Sequence, residues 1–159
     1  MSKTIRAAFG TPVLAVLMLA GAAAPSAADF SHLNGSWSGG GKFRLEDGRS
    51  EALRCNANYS PRGTSMGLSL RCASASNRIE LRANLVSRGS RVSGTWEERS
   101  YNVSGGVSGT SAGNSLRLGI NGGGLSGSMV VTTTGGSQSI SVRTDGAALR
   151  GINISLRRN

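Results

Sequence analysis

The chain has 159 residues, with 18 Lys and Arg against 8 Asp and Glu, a formal charge of +10. A single histidine and two cysteines exclude a His-based triad and a His/Cys metal centre, so no catalytic residue, metal or cofactor is expected. Two Trp, two Tyr and three Phe supply too few rings for base stacking, so the basic charge is not read as a nucleic-acid surface.

The N-terminus reads as a targeting signal. Lys3 and Arg6 are followed by an Ala-rich apolar stretch from Ala7 to Ala24, and Pro25-Ser26-Ala27-Ala28 offers the small residues of a cleavage site. Cleavage after Ala28 removes residues 1–28 of the 159 and leaves a single domain of 131, residues 29–159. Losing Lys3 and Arg6 leaves 16 basic and 8 acidic residues, a net charge of +8. No later stretch has the length and apolarity of a membrane helix, and a periplasmic or secreted location is expected. In that compartment Cys55 and Cys72 are expected to form a disulfide, stabilising by about 3 kcal/mol.

From residue 36 onward, turn signals arrive about every ten residues. Asp47-Gly48, Arg62-Gly63, Gly89-Ser90, Gly113-Asn114, Asn121-Gly122-Gly123-Gly124, Gly135-Gly136 and Asp145-Gly146 read as hairpin turns. Between them apolar residues alternate with polar ones, as in Leu53, Cys55, Ala57, Tyr59 and in Ile79, Leu81, Ala83, Leu85. Segments near 36–45, 50–60, 65–74, 78–87, 91–99, 102–111, 115–120, 124–133, 137–144 and 149–157 give eight to ten strands. The expected fold is all-β, an antiparallel up-and-down meander closing into a small soluble barrel. If Cys55 lies opposite Cys72, then Tyr59 lies opposite Leu68 and the turn falls near Arg62 to Ser65. A membrane barrel fits less well, because the strands are short and aromatic girdles are missing.

The motif apolar–x–Gly recurs in Leu33-Asn34-Gly35-Ser36-Trp37, Val92-Ser93-Gly94-Thr95-Trp96, Val107-Ser108-Gly109, Leu125-Ser126-Gly127 and Leu149-Arg150-Gly151. Residues two apart on a strand share a face, so each Gly is expected beside the apolar residue before it, where it lets the sheet bend or a ring pack. The run Gly39-Gly40-Gly41 is expected to be a bulge or turn, since no helix follows that would make it a phosphate cradle. Glu97 and Glu98 point to opposite faces and cannot act as a pair. Glu80 and Glu97 are outward partners for arginines.

Phe30-x-x-Leu33-x-Gly35-x-Trp37 resembles the opening of calycin barrels, the lipocalin and avidin-like superfamily. That resemblance implies an arginine from the last strand packed across the Trp, for which Arg157 or Arg158 is in place. The aromatic-rich avidin pocket is missing, so biotin binding is not implied. The whole segment after residue 28 is also similar to small exported proteins of Gram-negative bacteria, through Leu33-Asn34-Gly35-Ser36-Trp37-Ser38-Gly39-Gly40-Gly41, Leu70-Arg71-Cys72-Ala73-Ser74 and Ser93-Gly94-Thr95-Trp96-Glu97-Glu98. This second resemblance implies location and no activity.

Two non-catalytic functions follow as expectations. Trp37, Leu53, Leu68, Leu81, Trp96 and Met129 face inward, as core or as the lining of a site for a small apolar or amphipathic ligand. Arg44, Arg54, Arg71, Arg82 and Arg117 face outward and offer an anion-binding surface for a cell-envelope polymer.

Overall fold

The computed structural model describes residues 29–146 and 148–159. The cleavable signal expected over 1–28 therefore lies outside the described residues. A one-turn 3₁₀ helix, η1 (Ser31–Leu33), leads into ten strands. These are β1 (Gly35–Leu45), β2 (Ser50–Arg62), β3 (Ser65–Ala73), β4 (Arg78–Arg88), β5 (Arg91–Glu98), β6 (Val103–Ala112), β7 (Ser115–Gly122), β8 (Leu125–Thr134), β9 (Ser137–Asp145) and β10 (Leu149–Arg158). Each strand pairs antiparallel with its neighbours in sequence, and β1 pairs with β10, so the meander closes into a barrel with no free edge. The ladders place Cys55 opposite Cys72 and Tyr59 opposite Leu68. The disulfide is formed across that pair, with Cα atoms 4.1 Å apart.

Alternation decides which side chains enter the barrel. Leu53, Cys55, Ala57 and Tyr59 of β2 are buried, while Arg54, Asn56 and Asn58 between them are exposed. The same period runs round the wall, so the interior is mostly apolar, with a few buried polar side chains such as Glu98, Thr133 and Gln138, and the outer surface is largely Ser, Thr, Asn and Arg. This is the inverse of a lipid-spanning barrel, whose outer band must be apolar.

Glycine roles differ from the sequence reading in three places. Gly39-Gly40-Gly41 is neither bulge nor turn; it lies mid-strand in β1, paired on both sides. The reason is close approach. A Cβ at Gly40 would sit 2.6 Å from the Leu53 carbonyl oxygen, and one at Gly39 would overlap the Ser155 carbonyl. Leu149 and Gly151 do not share a face. A register shift at Arg44/Leu45 pairs Leu149 with inward Leu45 and Gly151 with outward Arg44, so Arg150 is the extra residue of a bulge. Leu33 is not on a strand with Gly35, because the chain is still helical there and Gly35 turns it at φ +103°. At Val92-Ser93-Gly94, Val107-Ser108-Gly109 and Leu125-Ser126-Gly127, the glycine does lie inward beside its apolar partner.

Candidate functional site

The two ends of the barrel differ in how they are filled. One end carries η1, the chain terminus and the β2–β3, β4–β5, β6–β7 and β8–β9 turns, and it is sealed. Phe30, just before η1, and Leu33 of η1 enter it, above a buried floor that includes Trp37, Met66, Leu116 and Leu156. Trp37 is the centre of this plug at 0% exposure. Its indole N–H donates to Leu33 O at 2.8 Å, and its ring meets Tyr59 edge-on, centroids 6.5 Å apart. Arg158 covers the outer face of the ring at 4.4 Å and donates to Asn34 O and His32 O, which ties η1 to the last strand. The arginine expected at 157 or 158 is thus Arg158.

A polar network crosses the same end. Tyr59 OH donates to Gln138 Oε1 at 2.7 Å, and Gln138 Nε2 donates to Thr133 Oγ1 at 3.4 Å. Burial pushes the Tyr59 phenol well above its ordinary range, only partly offset by the Gln138 bond. The space left beneath η1, beside Phe30, Leu33, Leu116 and Val131, is about 10 Å³, no more than one water-sized group fills.

The other end carries the β1–β2, β3–β4, β5–β6, β7–β8 and β9–β10 turns. Here many of the inward apolar side chains are only partly buried: Leu45, Leu68, Ile79, Leu81, Trp96, Ile120, Met129, Val142, Leu149 and Ile152 form a layer against the packed core, while Phe43 and Cys72 of the same half are buried. Four of the six residues expected to line a ligand site, Leu68, Leu81, Trp96 and Met129, belong to this layer. Leu53 (3% exposed) and Trp37 belong to the filled core and line nothing accessible. Trp96 lies along the inner wall, its N–H reaching Gly106 O at 3.2 Å and Asn121 O at 3.1 Å. The ladder row Trp96–Gly105–Gly122 leaves that wall bare of side chains, which lets the indole lie flat.

The turns round this mouth are tied to one another. Glu51 accepts from Ser74 Oγ at 2.6 Å and Ser76 Oγ at 2.5 Å; these bonds, Ser74 first, hold its carboxyl below the ordinary range. Tyr101 OH donates to Asn77 Oδ1, and Arg150 pairs with Glu46 and, at 4.0 Å, with Asp145. Glu98, which sequence reasoning separated from Glu97 but gave no task, is inward and buried. Its carboxylate accepts from the backbone N–H of Glu80 and of Tyr101, each at 2.7 Å, and so closes the β5–β6 turn. No buried side-chain N or O among the described residues lacks a partner, so this interior offers an occupant carbon and ring surface rather than a free hydrogen-bonding group.

The five arginines expected as an anion surface are all exposed but do not form one patch. Arg54, Arg71 and Arg82 share the β2–β5 wall with Glu80 and Glu97: Arg71 lies 3.8 Å from Glu80, and Arg82 stands opposite Glu97. Arg44 is on β1, and Arg117 is on β7, across the barrel. A concavity of about 460 Å³ on the outer wall involves none of them; Thr132, Thr134, Ser137, Ser139, Ser155 and Arg157 border it.

No protein-family description and no curated protein matches the chain. Its fold has solved counterparts. The crystal structure of Rv2717c from M. tuberculosis is similar to it with a TM-score of 0.64 at 16% identity, covering 81% of this chain and 94% of that one. At that identity the likeness is one of fold.

Proposed function

We propose that this is an exported, non-catalytic barrel of calycin type that takes a small apolar or amphipathic molecule into its open end. One observation carries the reading: the inward apolar residues are buried at the η1 end, whereas many of those toward the other end are only partly buried. Burying the exposed part of such a layer is favourable by about 25 cal/mol per Å², and pockets of this chemistry are lined mostly by carbon. The satisfied polar groups inside favour an occupant whose apolar body enters while any polar end stays at the rim. The formed disulfide supports an oxidising compartment.

Trp96 makes the test direct, since Trp37 is sealed from any entering molecule. Titration with dodecanol should shift or quench tryptophan emission, and Trp96→Phe should abolish that change while keeping the fold. Native mass spectrometry of protein from the periplasm should show an apolar adduct that persists in high salt. Unchanged emission together with an adduct-free mass would refute the reading.

A further inference from the structure

The acidic residues are distributed unevenly along the barrel axis. Glu46, Asp47, Glu51, Glu80, Glu97, Glu98 and Asp145 all belong to the open half, on its turns or on the strand ends that meet them. The ion pairs Arg49–Asp47, Arg71–Glu80, Arg150–Glu46 and Arg150–Asp145 lie there too. In the sealed half of the described residues the one acidic side chain is Asp29, and it is engaged by Ser31 N and Ser31 Oγ.

Three arginines of that half, which also holds Arg62, Arg157 and Arg158, stand in one row. The ladders put Arg88 directly opposite Arg91, Arg91 opposite Thr110, and Thr110 opposite Arg117. All four point outward and are exposed. With strands about 4.8 Å apart, Arg88 and Arg91 stand roughly 5 Å from each other and Arg117 about 10 Å further round the wall. Like charges directly opposite in a ladder repel, and no carboxylate among the described residues pairs with any of the three. The nearest outward acid on these strands is Glu97, six residues from Arg91, about 20 Å along β5. Val86, Ser93, Ser108 and Gly119 of the next row keep the ground beside them uncharged.

We infer that Arg88, Arg91 and Arg117 form a binding row for an extended polyanionic glycan, one bearing sulfate, phosphate or carboxylate groups along its length. Three charges spread over roughly 15 Å of a convex wall cannot converge on one small anion, whereas a flexible chain can follow the curve and meet each in turn. Arginine's fork suits the oxyanions of such a chain. No aromatic side chain lies in the row, so it lacks the ring platform of single-strand nucleic-acid binders; Tyr101, the exposed aromatic, is on the opposite rim at 59% exposure. This surface is independent of the interior site.

The probe is dextran sulfate, with neutral dextran, poly(dT) and anionic phospholipid vesicles as comparators. Arg88→Gln/Arg91→Gln/Arg117→Gln should weaken dextran sulfate binding at least tenfold and lower the slope of log K against log salt by roughly three. Arg44→Gln/Arg54→Gln/Arg82→Gln removes the same charge from the acid-bearing half and should cost less than about threefold. The row variant should keep or raise its urea midpoint, because a repelling pair is gone, and Arg117→Gln alone gives a smaller loss of binding without touching that pair. Equal losses in the two triple variants would reduce the row to net charge. Absent binding to dextran sulfate, or tighter binding to poly(dT) or vesicles, would likewise overturn the inference.

Discussion

The glycines offer the sharpest test of how this barrel is built, through Gly109→Ala on the inner face of β6 and Gly119→Ala on the outer face of β7. The two sites are close neighbours: Gly109 lies opposite Leu118, and Ser108 opposite Gly119. A methyl at Gly109 would overlap the Arg117 carbonyl oxygen and come within 2.9 Å of both Arg117 C and Leu118 Cα. Every atom it meets there is backbone, so no side chain can swing aside; β7 itself must move. Overpacking of this kind costs about 1–3 kcal/mol where side chains can adjust, and a rigid backbone obstacle puts Gly109→Ala at the upper end, about 3 kcal/mol. A methyl at Gly119 meets its nearest atom, Ser108 O, at 3.6 Å, an ordinary contact. There the lost freedom of the unfolded chain should leave stability unchanged or raised by up to about 1 kcal/mol. Urea unfolding followed by tryptophan emission reads both variants, and thermal unfolding should place their midpoints roughly 10–15 °C apart. If Gly109→Ala is as stable as Gly119→Ala, the inner glycines are not there for close strand approach, and the reasoning fails.

Arg158→Met keeps a flexible apolar stem but loses the cation over Trp37 and two hydrogen bonds to η1; the urea midpoint should fall by the equivalent of about 1–2 kcal/mol, with faster proteolysis near Phe30. Tyr59→Phe strands Gln138 Oε1 and should cost about 1–3 kcal/mol at neutral pH. Because folding raises the Tyr59 pKa, its contribution is complete below the unfolded value near 10 and declines as pH rises above it. Stability measured against pH should therefore slope downward above about pH 10 in the parent and less so in Tyr59→Phe. Reducing Cys55–Cys72, or replacing both by Ser, should lower stability by about 3 kcal/mol without opening the barrel, since the β2–β3 ladder is complete without it.

Much of the architecture was legible in the residues, because period-two alternation and Gly-bearing turns are local signals. The Cys55–Cys72 register and the inward set of β2 to β5 follow from them. Two connections lacked that signal: Ser74–Asn77, held by the Glu51 carboxylate, and Arg99–Asn102, where Asn102 supplies the positive φ of 54° that glycine supplies elsewhere. The η1 plug was equally hidden, since three residues show no helical period and their packing depends on Arg158, which is far off in sequence.

The sequence alone determined that the chain is an all-β meander with one apolar face, with its basic charge on the other face. Each of these is set by neighbours a few residues apart. Only the tertiary structure decided that β1 meets β10, that Trp37 is fully buried while Trp96 is only partly buried, and that Arg88, Arg91 and Arg117 align while Arg44 and Arg117 do not. Alternation tells which face a side chain takes. Height within the barrel and lateral company come from closure and register, which depend on strands distant in the chain.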